Sequence, residues 1–408
     1  MKKKTNPLRK RIVYTLLLLV IYGAGKDIPL PFANADDTLS RLSTTSFWGM
    51  TSTATGGNFS VPTLFSLGLA PWMTGMIFWQ LLTMTKLFGI DQLPKHISER
   101  YRNGLILVIA IFEGLGTTIL LENQLVRLDP FVIFACTLIF VAGSFFLIWL
   151  ININSIWGIG GASAFIVYAI VGSLAIQYQV LIQHILTEPP LFEVMFCIAL
   201  MLATFFLIAL AVVFELSEYR IKVERIMLNE RLESSYIPLK LNSGGSMAYM
   251  FGLTMLILPQ MIFQGLSNYA PDNAIILWLL ENSGSTNFFG VTIYNVILFL
   301  LTFLFAYAML DVTDIAKNLQ KSGDYVPDVF PGRETELYLR KKRRAVTFIG
   351  AIFTVTVAGL PLYLGAFWPE YAMVATLPGM SIMLTSLMVN IIFQLRAIRI
   401  LHDYKKLF

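Results

Sequence analysis

Residues 130–187 read PFVIFACTLIFVAGSFFLIWLININSIWGIGGASAFIVYAIVGSLAIQYQVLIQHILT and contain no Asp, Glu, Lys or Arg. A helix needs about 20 mostly apolar residues to cross the hydrocarbon core of a bilayer, so this run is long enough for two such helices. The Asn and Gly residues near its middle mark the break between them. The stretch therefore predicts two consecutive membrane-spanning helices.

The whole chain has the composition of a membrane protein. It is 56% hydrophobic and 13% charged, with a mean hydropathy of +0.69, whereas ordinary globular proteins carry about 25% charged residues. Further charge-free runs cover 241–271, 282–310, 345–369 and 371–395. Together with shorter apolar windows they predict an all-α polytopic membrane protein with ten transmembrane helices. The predicted spans start near Ile12, Pro62, Gly104, Phe131, Gly158, Phe192, Ser246, Gly290, Ala345 and Ala372.

The basic residues predict the orientation of the chain. Ten spans put both termini on one side, and Lys and Arg accumulate in cytoplasmic loops. With cytoplasmic termini, only Lys26, Arg41 and Arg127 of the 30 Lys and Arg residues lie outside. The pI of about 9.0 therefore reports orientation in the cell membrane, and no nucleic-acid partner is expected. The basic N-terminus resembles a signal peptide, but no small-residue cleavage site follows, so it is interpreted as an uncleaved first helix.

One polar segment carries no charge. Residues 44–61 (TTSFWGMTSTATGGNFSV) are rich in Ser, Thr and Gly and precede a predicted span. Non-helical backbone is tolerated at membrane depth where it is buried in protein or lines a watery cavity. The segment is interpreted as a re-entrant piece, and a small external loop is the alternative.

Two predicted cytoplasmic loops are long, at 215–242 and 311–344. The second ends in the cluster Arg340, Lys341, Lys342, Arg343 and Arg344, directly before a span. Such a cluster anchors topology or contacts anionic lipid headgroups. Because both loops are much longer than typical helix connections, docking of a partner is the second interpretation.

Glu113 stands alone as a charged residue near the middle of the third predicted span. A charged side chain there costs about 2.5–3.5 kcal/mol on insertion scales, so it should face protein or water. It is either a polar contact in a moving interface, an ion site, or a satisfied structural carboxyl. Cys136 and Cys197 fall inside spans without paired spacing and are interpreted as core residues.

The sequence carries no pattern of catalytic or nucleotide-binding chemistry. It lacks a Walker A loop, HExxH, a paired-Cys zinc pattern and GxSxG. GIGGAS at 158–163 opens a membrane helix with no preceding strand, which does not fit a phosphate loop. We therefore expect no enzyme activity, no cofactor and no metal site.

Five stretches, in order along the chain, resemble the SecY/Sec61-alpha family of protein translocase channel subunits. They are RIVYTLLLLVIYGAGKDIPLP at 11–31, GGNFSVPTLFSLGLAPWMTGMIFWQLL at 56–82, GIGGAS at 158–163, YIPLKLNSGG at 236–245 and LDVTDIAKNLQKSGDYVPDVFPGRETELYL at 310–339. The resemblance implies two inverted five-helix halves, at 1–187 and 188–408, with a plug at about 44–60. The short periphery is most similar to the accessory SecY of Gram-positive bacteria.

The family resemblance also implies a function and partners. The expected role is a protein-conducting channel subunit that exports preproteins, in the accessory subgroup large Ser-rich surface glycoproteins, across the cytoplasmic membrane. The expected partners are a SecA-type motor ATPase, small SecE/SecG-like or accessory Sec subunits, the preprotein and anionic lipids.

Site residues follow from the same resemblance. The implied pore ring is Leu69, Met73, Val167, Val171, Met250 and Leu384. The implied lateral gate contains Thr74, Glu113 and Leu258, the last of which is apolar where a polar residue is usual. The implied motor docking loop contains Asp328, Phe330, Pro331, Gly332 and Arg333. Asp328 stands where the family has glycine, Phe330 where it has arginine, Gly23 where it has arginine, and Gly161 where it has asparagine.

Two other classes of protein share some of these sequence features. A secondary transporter of small solutes also uses ten to twelve spans and broken helices, but it places polar binding groups near the midplane. This chain offers little there besides Glu113, and its long loops suit a docking partner better. An intramembrane enzyme would need a catalytic constellation in the spans, and the sequence has none.

Overall fold

The computed structural model describes residues 7–30, 55–57, 62–85, 94–120, 129–186, 191–224, 235–242, 244–255, 257–269, 273–284, 287–368, 372 and 374–404. Within this part of the chain the protein is mostly helical. Five helices precede residue 187: α1 (Pro7–Lys26), α2 (Ala70–Thr85), α3 (Lys95–Leu120), α4 (Pro130–Trp157) and α5 (Ala162–Leu186).

The second part of the chain adds helices and one hairpin. These are α6 (Leu191–Leu216), β1 (Glu218–Lys222), β2 (Tyr236–Lys240), α7 (Gly245–Met255), α8 (Ile257–Tyr269), α9 (Ala274–Asn282), α10 (Phe288–Met309), α11 (Val312–Ser322), α12 (Arg333–Thr354), a π-helical turn (Val355–Gly359), α13 (Leu362–Phe367), a 3-10 turn (Val374–Thr376) and α14 (Leu377–Tyr404). The antiparallel β1–β2 hairpin was not predicted from the sequence.

The predicted spans coincide with these helices. Each of the ten predicted starts lies in or within about eight residues of a helix, and the all-α membrane fold class is therefore confirmed. Seven helices in the described ranges are long and apolar enough to cross a membrane, and Met201–Leu216 is a shorter apolar helix. The count of ten spans, and the division into two inverted halves, remain predictions.

The helices pack around one large apolar core. α10 packs against α7 and α12, while α14 packs against α5 and α6. At the other side α3 lies between α2 and α4, and α2 and α3 contact α7 and α8 respectively. Cys136 is fully buried, as expected for a small core residue, and the side chain of Cys197 lies outside the described part.

The turn between α4 and α5 is buried, and side chains satisfy its backbone. Asn154 Nδ2 donates to the carbonyl oxygens of Ile159 and Gly161, each at 3.0 Å. Thr15 of α1 donates to Asn154 Oδ1 at 2.9 Å and accepts from the Ile159 amide at 2.8 Å. Gly161 has φ +49°, a left-handed conformation that Gly and Asn both adopt readily, which explains why either residue fits this position.

The ninth predicted span is interrupted by the π-helical turn. The turn leaves a break before α13, and Asn295 of α10 faces it, donating to the carbonyl oxygen of Gly359 at 3.4 Å. A Cβ on Gly359 would lie 1.7 Å from Asn295 Oδ1, so the residue must be glycine for α10 to approach this closely. π-Turns inside helices are commonly found at functional sites.

Candidate functional site

The centre of the core contains a set of aliphatic and methionine side chains, called here the central cluster. On α2 and the turn before it, Leu69, Met73 and Ile77 are spaced four residues apart and are all buried. Residues at this spacing lie on one face of a helix. Met250 of α7 joins the same cluster, and Leu384 of α14 packs against it half-buried.

The contribution of α5 to the central cluster comes from one particular face. Ile166, Ile170 and Leu174, again four residues apart, are buried in it. The predicted ring positions on this helix are Val167, which is half-buried, and Val171, which is 48% exposed. Leu69, Met73, Met250 and Leu384 thus belong to the same apolar core as Ile166 and Ile170, which precede the predicted α5 positions by one residue.

Four methionines line the central cluster. Met73, Met250, Met380 and Met383 are all at most 6% exposed and come from α2, α7 and α14. Methionine is unbranched and polarizable, so it fills irregular gaps and repacks at low cost. The centre is therefore buried, and it is lined by side chains that can repack.

A short segment of backbone, residues 55–57, is fastened beside the central cluster. Tyr22 of α1 donates its hydroxyl to the carbonyl oxygen of Gly56 at 2.5 Å. The Leu69 amide donates to the Thr55 carbonyl oxygen at 3.0 Å. We call residues 55–57 the latch segment; the rest of the predicted plug, 44–54 and 58–60, lies outside the described residues.

Three glycines allow the latch segment to approach the turn before α2. A Cβ on Gly57 would lie 2.2 Å from the Ser66 carbonyl oxygen, and one on Gly68 would lie 2.5 Å from the Gly57 nitrogen. Gly56 has φ +74°, and Gly68 has φ +56°. The contact is backbone against backbone, so it has no side chains to interdigitate and depends on a few hydrogen bonds.

A second polar contact joins α2 to α3. Thr74 lies 2.8 Å from Glu113 Oε1 through its hydroxyl, which is also 2.9 Å from the Ala70 carbonyl oxygen. Both side chains are fully buried, and Glu113 Oε2 has no hydrogen-bond partner among the described residues. Two of the three predicted gate residues are therefore in direct contact.

The third predicted gate residue, Leu258, lies on α8, which packs against α3. Its side chain lies outside the described part of the structure. The α3–α8 contact is close at Gly116, where a Cβ would lie 2.7 Å from Met261 Sδ. The pair Thr74–Glu113 thus lies on helices that both contact the α7–α8 segment.

The two long loops fold together into a small unit, called here the platform. Its apolar core comes from β1 and the residue after it, from β2, α11 and α12, and from the connection between the two helices, and contains Ile221, Val223, Leu239, Val312, Ala316, Val326 and Leu339. Glu224 and Tyr325 form an antiparallel bridge between the loops. The Tyr325 hydroxyl donates to the Glu224 carboxylate, and this bond raises the pKa of Tyr325.

The predicted docking loop is an ordered turn on the platform. Asp328 has φ +63° and Gly332 has φ +99°, while Thr335 donates its hydroxyl to the Phe330 carbonyl oxygen at 2.8 Å. Glycine adopts a φ of +63° without strain, which explains why the family has glycine at the position of Asp328. Asp is one of the few other residues that tolerate this conformation. The turn presents Phe330 to solvent, 76% exposed.

Comparison with known proteins gives the family. A family model described as SecY matches residues 63–395. The accessory Sec system protein translocase subunit SecY2 of Leuconostoc gelidum subsp. gasicomitatum is 30% identical over 411 residues, covering 98% of this chain and 96% of that protein. The subunit of the same name from Streptococcus gordonii is 28% identical over 415 residues and covers 100% of both chains.

Solved structures share the fold. A protein-conducting channel superposes with a TM-score of 0.68 at 17% identity, covering 96% of this chain and 93% of that one. Sec61 in a canine ribosome–channel complex superposes with a TM-score of 0.63 at 16% identity, covering 96% of this chain and 93% of that one.

Fold and site define a polytopic helical membrane protein with an apolar centre shared by its two parts. The chain belongs to the SecY family, and its similar relatives include SecY2 subunits of accessory Sec systems.

Several residues of the site were not predicted from the sequence. The sequence does not mark Tyr22 as a site residue, since it lies near the end of the apolar first helix, just before Gly23 and Gly25. Ile166 and Ile170 have the same four-residue spacing as the predicted pair, so composition offered no way to choose between the two registers. Only the glycine content of the segment indicated the close contact between Gly57 and Gly68.

Tyr22→Phe is expected to loosen the latch segment. The change removes the hydrogen bond to the Gly56 carbonyl oxygen while keeping the ring, at a cost of about 1 kcal/mol. Hydrogen exchange at the Leu69 amide, which is bonded to Thr55, should accelerate by about fivefold. Tyr14→Phe, an exposed tyrosine on the same helix, is the matched control and should leave this rate unchanged. Equal rates in both variants would contradict the latch.

Proposed function

We propose that this chain is the protein-conducting channel subunit of an accessory Sec translocase in the cell membrane. The observation that carries the proposal is the central cluster, an apolar seal built from α2, α5, α7 and α14 with the latch segment fastened beside it. A channel for diverse polypeptides must stretch around them and still leak few ions, so it needs a yielding apolar constriction rather than fixed charges. The four buried methionines suit this requirement.

In this proposal the pore ring consists of Leu69, Met73, Met250 and Leu384, with Val167 and Val171 or their neighbours Ile166 and Ile170 contributed by α5. Residues 44–60 form the plug, of which the latch segment is the hinge. Since the Leu69 amide is bonded to Thr55, movement of α2 and release of the plug would be coupled.

The lateral gate is proposed to open between α2–α3 and α7–α8, which pack on each other. Thr74 and Glu113 would hold the α2–α3 side together, with Leu258 on the opposite side. The two halves, 1–187 and 188–408, would move apart along this line when a signal sequence enters.

The platform and both termini are proposed to be cytoplasmic, because nearly all Lys and Arg then lie on the inner side. SecY family channels work with other Sec components, and a SecA-type ATPase would dock on the platform at Asp328, Phe330, Pro331, Gly332 and Arg333. Small SecE/SecG-like or accessory subunits would cover apolar surface on the outside of the helices.

The cargo would be preproteins, in accessory systems Ser-rich surface glycoproteins, and the chain itself is not an enzyme. A transporter would use Glu113 as a binding group, whereas here it is engaged with Thr74.

Crosslinking to a stalled preprotein tests the channel. In a chain with Cys136 and Cys197 replaced by Ala, a cysteine at Met73 should crosslink to the preprotein, because the ring must touch the chain in transit. A cysteine at Leu138, exposed on the outer face of α4, is the control. Parallel cysteines at Ile170 and Val171 decide which register of α5 lines the pore. Contact of Met73 with lipid or neighbouring helices alone would contradict the proposal.

Glu113→Gln is expected to favour the open gate. The carboxamide would bring two N–H donors to the site of Oε2, where no described residue bonds it, and an unpaired buried donor costs about 1–3 kcal/mol. Export of preproteins with weakened signal sequences should rise severalfold. Thr118→Val, which removes a hydroxyl from the α4 side of the same helix, should have little effect. Unchanged selectivity and unchanged export rate for Glu113→Gln would exclude a gating role.

Phe330→Arg is expected to shift motor preference toward a housekeeping SecA. The change replaces an exposed aromatic by the residue usual in the family, and a charge at the rim of an interface changes the association rate and its salt dependence. Binding of the two purified motors to the reconstituted channel measures the shift. Leu337→Arg, on an exposed position of neighbouring α12, controls for added charge. Unaltered binding of both motors would show that position 330 is not the selector.

A further inference from the structure

The end of the helix bundle opposite the platform carries a short helix that neither the ring nor the gate uses. Helix α9 (Ala274–Asn282) has nine residues, so it is about 14 Å long and too short to cross a bilayer. Seven of the nine residues are apolar, and none of the nine is buried in the protein. An apolar helix that the protein leaves uncovered needs another apolar environment.

Hydrogen bonds hold both ends of α9 in place. Asn273 caps its first turn with a side-chain hydrogen bond of 3.0 Å. At the other end, Gln260 of α8 donates its side-chain amide to the carbonyl oxygen of Ser283 at 3.0 Å. Asn287 donates its side-chain amide to the carbonyl oxygen of Glu281. α9 therefore has a defined position against α8 and the start of α10.

Two faces of α9 differ in what covers them. Ile276, Leu279 and Leu280 are half-buried, and their spacing of three and four residues places them on one face. Because α9 packs against α8 and α10, this face is the one toward the protein. Ile275 and Trp278, three residues apart on another face, are 70% and 49% exposed. The face turned away from the protein is therefore apolar as well.

Helix α10 sets the depth of α9 in the bilayer. α10 (Phe288–Met309) has 22 residues and is about 33 Å long, close to the thickness of the hydrocarbon core. Leu310, the residue after α10, packs against the apolar core of the platform. Phe288 at the other end of α10 therefore lies near the opposite boundary between hydrocarbon and headgroups. A Cβ on Gly290 would lie 2.2 Å from the Gly284 carbonyl oxygen, so the segment after α9 is held against the first turn of α10.

Aromatic rings gather at the same boundary. The ring of Trp278, in the middle of α9, lies 5.0 Å from the ring of Phe289 between centroids. The ring of Phe288 lies 5.0 Å from that of Tyr363 and 6.5 Å from that of Phe367. Trp and Tyr are enriched where headgroups meet acyl chains. The middle of α9 is therefore level with a belt of aromatic side chains at the membrane boundary.

The charges of this region indicate how it meets lipid. Between Lys240 and Lys317 the sequence has no Lys or Arg. The acidic residues of 241–310 are Asp272 and Glu281. α9 thus has no neighbouring cation in the sequence with which to attract a lipid phosphate or an acidic protein surface. The remaining attraction is the burial of apolar side chains, which acyl chains supply at this depth.

We propose that α9 is an interfacial anchor, which lies at the headgroup boundary of the leaflet opposite the platform and inserts Ile275, Leu277 and Trp278 among the acyl chains. Its exposed face is covered by lipid, which it contacts through apolar surface and not through a charged headgroup. Because Gln260 bonds the end of α9 to α8, the anchor fixes this part of α8 at the membrane surface. The proposal does not depend on the channel function.

Fluorescence quenching in vesicles tests this position. The full chain with Cys136→Ala and Cys197→Ala receives one environment-sensitive fluorophore at Ile275→Cys and is reconstituted at low density in phosphatidylcholine. A fraction of the lipid carries a nitroxide quencher either near the glycerol or near the end of the acyl chain. The label should lose more fluorescence to the shallow nitroxide than to the deep one, and iodide in the water should quench it little.

Three further labelled variants calibrate the measurement. Leu277→Cys lies on the same uncovered side of α9 and should repeat the result. Leu300→Cys, 61% exposed and about 18 Å along α10, should lose more fluorescence to the deep nitroxide. Leu337→Cys, 56% exposed on the platform, should be quenched by iodide and by neither lipid.

Four results would overturn the proposal. Quenching of the label on α9 by iodide alone, as on the platform, would place the helix in water. Protection from iodide and from both lipids would show that a second copy of the chain covers the face. Stronger quenching by the deep nitroxide would place α9 within the hydrocarbon core. The apolar mode of contact predicts the same quenching after phosphatidylglycerol is added, so an increase would overturn it in favour of headgroup charge.

Discussion

Every break in a helix that is buried away from water must find its hydrogen bonds inside the protein, and the rest of this structure depends on that constraint. Three buried irregular segments in the described part of the chain show this. Tyr22 forms a hydrogen bond with the latch segment, Asn154 and Thr15 with the turn between α4 and α5, and Asn295 with the π-helical turn. At these positions the side chains bond to irregular backbone, whereas other buried threonines, such as Thr302 and Thr385, bond to carbonyl oxygens of their own helices. The bonds to irregular backbone therefore fix where the helices may be interrupted, which determines where the structure can move.

The three breaks are not equally fastened. The turn before α5 is bonded by side chains from α1 and α4, and the Gly160 amide also donates to Gln394 of α14 at 2.8 Å. The latch segment has glycines in backbone contact and one tyrosine hydroxyl from α1. Local opening follows the weakest set of contacts. We therefore expect the α4–α5 turn, which joins two helices, to stay rigid. We expect the latch segment, which lies beside the central cluster, to open first.

The fold was largely predictable from the sequence, and the site only in part. Charge-free runs such as 130–187 predict spans directly, because the bilayer excludes charge whatever the tertiary packing. The register of the central cluster was not predictable on α5, because Ile166, Val167, Ile170 and Val171 are all aliphatic and burial alone separates them. The β1–β2 hairpin of the platform was not predictable from the sequence for a related reason. Its strands are five residues long, and their pairing is fixed by a core that includes Val312 and Leu339 of distant helices.

Helix α12 connects the parts that the sequence presents as separate. Its first turns belong to the platform, where Thr335 and Leu339 are buried, and its last turns belong to the large apolar core through Phe353. Between them Arg343 binds the end of α10 through the Leu310 carbonyl oxygen. Helix α12 thus links the platform, which carries Phe330, to the π-helical turn that follows it. That turn contacts α10 and α14, and α14 contributes Met380, Met383 and Leu384 to the central cluster.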